Sequence, residues 1–406
     1  MADVDATDAC FAPCPRGLEA ALVEELGELG VAGAVAVAGG VHFTASWRDV
    51  YRVNLYSRLA SRVLRRVARA RYRSEDDIYR LAKTYDWSQW FAATATLRVD
   101  IVTGSGRQRS ALRSLEFVTL RVKDGICDRF REASGVRPSV DTRAPDVRVF
   151  GYLDAHDCTL YLDTSGEPLF KRGWRSEAGE APLRENLAAG ILRIAGWTPG
   201  VALLDPMCGS GTFAVEAAQR ALAIAPGRRR AFGFERLANF DAKSWDALQA
   251  EADATAETAA RDPSAAALIR ASDVSGDAVT LTRANLERAG VAADIAADIA
   301  PKQVDARQVR PHAESGLIVT NPPYGERIAI RGEAGASDDD DAATRFFSEF
   351  GNTLKQRFAG WTCHVLTSDM NLQKKLRLAP DRRVPLYNGA IECRLFRFAL
   401  VAGQHR

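Results

Sequence analysis

No apolar run in this chain approaches the roughly 20 residues that a membrane-spanning helix requires. The N-terminus, Met1-Ala-Asp-Val-Asp, is acidic and lacks the basic stretch that opens a secretory leader, so none is expected. The seven cysteines are scattered and odd in number. They make no disulfide framework, and a reducing cytoplasm fits them. Cys10 and Cys14 have no second pair and no histidine cluster beside them, which argues against zinc. The five histidines form neither a metal set nor a Ser-His-Asp arrangement. Repeats and low-complexity tracts are absent. Net charge is also scarce, at +2 over 406 residues.

The chain does hold enough apolar material, 47% of residues, for two or three domain cores. Its small net charge hides an uneven distribution. Residues 51–150 contain 21 Lys and Arg against 11 Asp and Glu. Eight arginines and no acid lie between Val50 and Ser74. A basic region on a near-neutral chain is the footprint of a polyanion partner. Arg65, Arg66, Arg69, Arg107, Arg109, Arg113 and Lys123 are the candidates for phosphate contact.

In chain order, the pattern predicts a small α+β unit over residues 1–45, with a helix from Gly17 to Leu29 and strands at 34–38 and 40–44. Residues 46–164 follow as an α/β RNA-reading region. Its expected elements are a strand at 96–103, a helix from about Leu112 to Glu132 with Phe117, Leu120 and Ile126 on one side, and strands at 146–153 and 157–163. Residues 165–180 read as a connector. From 181 to 406 strands and helices alternate as in an open, mostly parallel sheet. Residues 226–265 interrupt that alternation as an insertion without a chemical role. The acid-rich stretch 332–341 reads as a solvated loop. The sheet is expected to close with a hairpin turning at Asn388-Gly389.

Two stretches of this last region carry chemistry. Val201-Ala-Leu-Leu-Asp205 is a strand ending in an acid, followed by Pro206-Met207-Cys208-Gly209-Ser210-Gly211-Thr212 and a helix from Phe213. Gly209 and Gly211 let the loop turn tightly and let a ligand approach the backbone. Such a loop suits a nucleotide or a nicotinamide cofactor equally, although the P-loop lysine is absent. The second stretch decides. Leu317-Ile-Val-Thr320 is a short buried strand stopped by Asn321-Pro322-Pro323-Tyr324. The Asn321 side-chain oxygen and the Pro322 carbonyl can each accept a hydrogen bond from a base NH2 group, and Tyr324 offers a face on which a flipped base stacks. An acid-ended strand, a glycine loop and this tetrapeptide together suggest methyl transfer from S-adenosylmethionine (SAM) to an exocyclic amine. Asp205 would face the methionine ammonium, and Asp273, ending the strand from Ile269, the ribose hydroxyls. Asp298, after an expected strand at 294–297, would accept from the adenine amine. Cys208 has no adjacent base and is not expected to act as a nucleophile. No metal is expected, because a sulfonium methyl needs none.

The motifs Leu204-Asp-Pro-Met-Cys-Gly-Ser-Gly-Thr212 and Thr320-Asn-Pro-Pro-Tyr-Gly-Glu-Arg327 resemble motifs I and IV of the THUMP-domain class I SAM-dependent RNA methyltransferases. The RlmL branch, which methylates guanine N2 in 23S rRNA, is the most similar. Phe11-Ala-Pro-Cys-Pro-Arg-Gly-Leu-Glu19, Gly166-Glu-Pro-Leu-Phe-Lys-Arg-Gly173 and Ala181-Pro-Leu-Arg-Glu-Asn186 extend the resemblance over nearly the whole chain. It implies a ferredoxin-like unit, a THUMP domain and a Rossmann-like catalytic domain with a seven-stranded sheet. It further implies a 23S rRNA or precursor-particle substrate in a stand-alone form without a fused second methyltransferase. One departure is Ser275, where the family often has a second acid after Asp273. Two other readings stay open: an adenine-N6 methyltransferase, since the tetrapeptide serves either amine, and a non-catalytic assembly factor that keeps SAM as a structural ligand.

Overall fold

The computed structural model describes residues 7–175, 182–299, 301–322 and 339–401. The chain forms two compact units, and the first takes in Leu22–Leu169. Its elements and those leading into it are β1 (Asp8–Pro13), α1 (Glu19–Glu28), β2 (Val35–Val37), β3 (Gly40–Ala45), α2 (Trp47–Tyr56), β4 (Leu64–Arg71), α3 (Glu75–Thr84), β5 (Thr96–Thr103), α4 (Leu115–Ser134), β6 (Ser139–Val140), β7 (Val147–Leu153) and β8 (Asp157–Asp163). The strands make one sheet in the order β2-β3-β1-β4-β8-β7-β5-β6. The arginine-dense stretch is thus a central strand, β4, flanked by β1 and β8.

Local chemistry explains several boundaries. Ser46 caps α2 and Ser74 caps α3, each in a reciprocal box with the acid three residues on, Asp49 and Asp77. The Ser74-Glu-Asp-Asp77 box sets the start of α3, a helix outside the sequence expectations. In α4 the buried face is Val118, Val122, Gly125, Ile126 and Phe130. Phe117 and Leu120 point outward instead, at 49% and 47% exposure. They sit one residue or less than a turn away from the buried stripe, so sequence spacing placed them on the wrong face.

Residues Arg230–Gln249 belong to this first unit although they interrupt the elements of the second. Phe232 and Phe234 stack at 5.2 Å, and Trp245 meets both edge-on at 5.5 and 5.0 Å. Tyr51 of α2 packs on Phe234 at 4.6 Å. Rings at these separations bury large apolar areas with favourable quadrupole geometry. The insertion therefore supplies core to a unit that lies elsewhere in sequence.

The second unit holds α5 (Glu185–Ile194), β9 (Leu203–Asp205), α6 (Thr212–Ala221), the end of α7 (Ala242–Ala260), β10 (Ile269–Asp273), α8 (Gly276–Arg288), α9 (Ala293–Ile299), β11 (Lys302–Gln303), β12 (Leu317–Thr320), α10 (Asp339–Arg357), β13 (Thr362–Thr367), α11 (Leu372–Lys375), β14 (Arg382–Asn388) and β15 (Ile391–Ala399). The sheet order is β11-β10-β9-β12-β13-β15-β14. Its first five strands are parallel, and β15 runs antiparallel to both neighbours. This is the expected Rossmann-like sheet with its closing hairpin. The order reverses between β9 and β12, and ligands of open α/β sheets bind at such a switch point, beyond the carboxyl ends of the strands. One face is filled by Ile318, Phe347, Phe350, Leu354, Phe358, Trp361 and Phe396, all 3% exposed or less.

Three expectations are corrected here. Residues 294–297 are not a strand: they lie in α9, and the third parallel strand is the two-residue β11. Asp339 begins α10, so the end of the acid run is helical, while 332–338 lie outside the described residues. In the hairpin, Asn388 pairs with Ile391, leaving Gly389-Ala390 as the turn. Gly389 takes the positive φ, +68°, that a tight hairpin demands. Asn388 stays in the strand, where its side chain accepts from Arg184 N at 3.4 Å and donates to Pro182 O at 3.3 Å.

Candidate active site

Asp205 ends β9 and is 2% exposed. Burial pushes its carboxyl up to about 7, while the Thr320 hydroxyl and the Met207 N–H, the latter 3.3 Å away, pull the other way. No cation pairs with Asp205 among the described residues. An isolated buried carboxylate is costly, so this position suits a ligand that brings a positive charge.

The loop after it is stapled from β10 and α8. Cys208 N–H donates to Ser272 O at 2.9 Å, and Gly209 N–H donates to Asp273 Oδ2 at 2.9 Å. Thr282 Oγ1 donates to Gly209 O at 2.9 Å, and Asn285 Nδ2 donates to Ser210 O at 2.8 Å. The two glycines do different work. A Cβ on Gly211 would sit 2.5 Å from Thr282 Cγ2, so Gly211 lets α6 approach α8. A Cβ on Gly209 would meet nothing within 4 Å. Gly209 is exposed, and its φ is +53°. Buried Pro206 and Thr212 bracket the loop.

Asp273 is half-buried, and its oxygens accept from Gly209 N–H and, at 3.0 Å, from Ser275 N–H. A carboxylate has about four acceptor sites, so it can hold the loop and still take hydroxyls. Cys208 is buried, with Sγ 3.5 Å from Thr282 Oγ1. Burial raises its thiol far above neutral pH, so it packs the loop and is no nucleophile. Asp298 is exposed and lies in α9, not after a strand, so the strand-based reason for an adenine contact is lost.

β12 pairs with β9 through Leu317 with Leu203 and Ile318 with Leu204. Continuing that register sets Asp205 level with Val319, and Asn321 stands two residues further out. Thr320 is fully buried and Pro322 is buried. Asn321 Oδ1 is itself buried and accepts no hydrogen bond among the described residues. Buried amide oxygens are rarely left so, and a base amine would satisfy this one. Pro323 and Tyr324 lie outside the described residues.

Sequence reading missed Arg175, Thr282 and Asn285. Polar side chains spaced three apart on α8 look solvated in sequence, yet Thr282 and Asn285 are fully buried.

The basic residues divide. Arg66, Arg107, Arg109 and Arg113 are exposed, and their side chains have no hydrogen-bond or ion-pair partner among the described residues. Arg69 pairs with Asp157 at 2.6 Å and Lys123 with Asp124 at 2.6 Å. Arg65 is a correction. It is 6% exposed, ion-paired with Asp8, and its guanidinium lies over Trp47 at 4.5 Å and Trp90 at 5.3 Å. Its role is packing: Arg65→Ala is expected to destabilise the first unit by about 2–4 kcal/mol in denaturant titration. RNA affinity of the folded fraction should not change.

An acid-ended β9, an open glycine at the switch point and an asparagine oxygen beyond β12 define a class I SAM-dependent methyltransferase. Comparison with known proteins agrees. Residues 172–397 match the RMKL-like methyltransferase domain, 72–163 the THUMP domain and 9–64 the RlmL ferredoxin-like domain. The chain belongs to the RlmK/L-like methyltransferase family. It is 40% identical over 394 residues to the ribosomal RNA large subunit methyltransferase K/L of Methylococcus capsulatus, covering 96% of this chain and 50% of that protein. The chain thus spans about half the length of the curated K/L relatives it matches. A Synechocystis sp. protein provisionally named an RNA methyltransferase is 35% identical, with 96% of each chain covered. Among solved structures, SMU.472, a provisionally named methyltransferase in complex with SAH, superposes with a TM-score of 0.82 at 27% identity, covering 98% of this chain and 99% of that one. A Listeria monocytogenes structure named as a predicted N6-adenine-specific DNA methylase gives 0.78 at 26%, with 97% of each covered.

Proposed function

We propose that the protein transfers a methyl group from SAM to the exocyclic N2 amine of a guanine in large-subunit ribosomal RNA. The observation that supports this reading is the buried Asn321 Oδ1 beyond β12, which has no hydrogen-bond partner among the described residues. SAM supplies an electrophilic methyl on a sulfonium. Asp205 holds the cationic methionine end, and Asp273 the ribose. Asn321 Oδ1 and the Pro322 carbonyl accept both hydrogens of the base amine, which turns the nitrogen lone pair toward the methyl and disperses the charge that grows on nitrogen. In this reading Tyr324 is the stacking face for the flipped base, and Pro323 belongs to the same tetrapeptide. Neither Asn321 nor Pro322 is a base, so the amine's proton leaves to solvent after transfer.

The THUMP domain and the names of the K/L relatives support rRNA as the partner, in the cytoplasm where it is made. Arg66, Arg107, Arg109 and Arg113 are the side chains free to contact phosphates, with Arg69 and Lys123 able to exchange a carboxylate for one. Replacing Arg107, Arg109 and Arg113 together by alanine is expected to weaken RNA binding and lower the salt slope of log K by about 2–3. SAH affinity should not change. Fluorescence anisotropy at several salt concentrations, beside calorimetry with SAH, checks both.

Tritiated methyl from SAM should enter unmodified large-subunit rRNA, naked or in a precursor particle, and neither small-subunit rRNA nor DNA. Labelled DNA would favour the adenine-N6 reading. SAH binding with no transfer to any RNA would favour the assembly factor.

A further inference from the structure

We propose that Arg175 is a positioning residue for the SAM loop, acting from the segment that sequence reads as a connector. The segment is strapped onto the catalytic unit at each step. Arg172 Nε donates to Glu216 Oε1 of α6 at 3.2 Å, with both side chains 1% exposed or less. Trp174 is buried, and its carbonyl accepts from Arg288 Nε of α8 at 2.8 Å. Arg175 then spends its guanidinium on four acceptors. Nη1 donates to Ser210 Oγ at 3.0 Å, and Nη2 to Thr212 Oγ1 at 2.9 Å and Leu183 O at 3.2 Å. Nε donates to Glu185 Oε1 at 2.9 Å.

Ser210 and Thr212 flank Gly211 at the junction of the loop and α6. A cation there opposes the positive end of the α6 dipole. Glu185, 5% exposed, offsets that charge: burial raises its carboxyl, and Arg175 draws it back down. A guanidinium kept against the dipole with its own buried counter-ion needs a reason, and the two hydroxyls give one. Gly209 and Gly211 make the loop intrinsically free. α8 fixes it from one side through Thr282 and Asn285, and Arg175 fixes it from the other. Only the planar five-donor fork reaches all four acceptors; a lysine ammonium has three donors at one point.

The test uses the full chain. Calorimetry with SAH and steady-state methyl transfer to large-subunit rRNA are run on wild type, Arg175→Ala, Arg175→Lys and Ser210→Ala/Thr212→Val. In Arg175→Ala, SAH affinity should fall and the KM for SAM should rise by about 10- to 100-fold. At saturating SAM, kcat should stay within about threefold, and RNA affinity should hold. Arg175→Lys should recover part of the loss. The Ser210→Ala/Thr212→Val variant should reproduce most of it and make a further Arg175→Ala change nearly silent, as coupled partners do. If Arg175→Ala does not fold, the Ser210→Ala/Thr212→Val variant alone decides. Undiminished SAH affinity in these variants would overturn the proposal. So would a matching fall in kcat, RNA binding and melting temperature without a KM split, which would leave Arg175 a general strut. Wild-type protein that fails to bind SAH would remove the loop's role itself, an outcome visible before any variant is compared.

Discussion

Replacing Asn321 with alanine is expected to lower kcat for methyl transfer by about two to three orders of magnitude, with SAH affinity within about threefold of wild type. Oδ1 is buried and accepts nothing among the described residues, so its removal breaks no hydrogen bond that those residues make. Its expected partner is the base amine, and its pull on the amine hydrogens grows as positive charge builds on nitrogen. Interactions that strengthen toward the transition state appear in kcat rather than in ground-state binding. Asn321→Asp separates two effects. It keeps an acceptor at the same place but adds a charge at a site that receives a cationic cofactor. SAH, a thioether without the sulfonium charge, should bind about as in wild type while transfer remains well below wild type, because the pair of hydrogens is no longer met by a neutral, fixed amide. Single-turnover rates beside calorimetry read both quantities on one preparation.

Cofactor affinity should depend on pH through Asp205. Its carboxyl is raised to about 7 in the free protein because it is buried without a counter-ion. A ligand ammonium binds the ionised form, so SAH affinity should be level above about pH 7 and fall about tenfold per unit below it. Stability of the free protein runs the other way. A folded pKa raised above the usual carboxylate value means stability that is full below about pH 4 and is lost as pH rises through about 7. The thermal shift given by saturating SAH should therefore be larger at about pH 8 than at about pH 6. Asp205→Asn should cost about two to three orders of magnitude in SAH affinity at high pH, where it removes one partner of a buried pair. It should also flatten the pH dependence. If the variant keeps the wild-type slope, the titrating group is another residue.

What sequence made legible follows physical range. The Leu317–Thr320 strand and its stop were readable because four apolar residues and two prolines act within one short window. The same holds for Asp205 and the glycine loop, whose strand-to-helix switch needs only local geometry. Gly209 and Gly211 looked alike in sequence and differ in space, because only the packing of α8 shows which one faces open volume. Arg175, Thr282 and Asn285 were hidden for the same reason: each acts across 35 to 75 residues of chain. Arg65 and Arg66 are neighbours with opposite fates, since alternate residues of a central strand face opposite sides. Charge counting could not tell the arginine over Trp47 from the one in solvent. The strand expected before Asp298 was misread for another reason. Residues 294–299 are apolar enough for a short strand, and the choice between strand and helix in so short a run is made by tertiary packing. The 226–265 insertion had no chemical reading because its residues 230–249 pack into the core of a unit distant in sequence.

The measurement that tests the central claim most directly is nucleoside mass spectrometry on unmodified large-subunit rRNA incubated with SAM and either the wild-type protein or Asn321→Ala. The account predicts new N2-methylguanosine with wild type and almost none with the variant. N6-methyladenosine in its place, or N2-methylguanosine formed equally by both proteins, would contradict it.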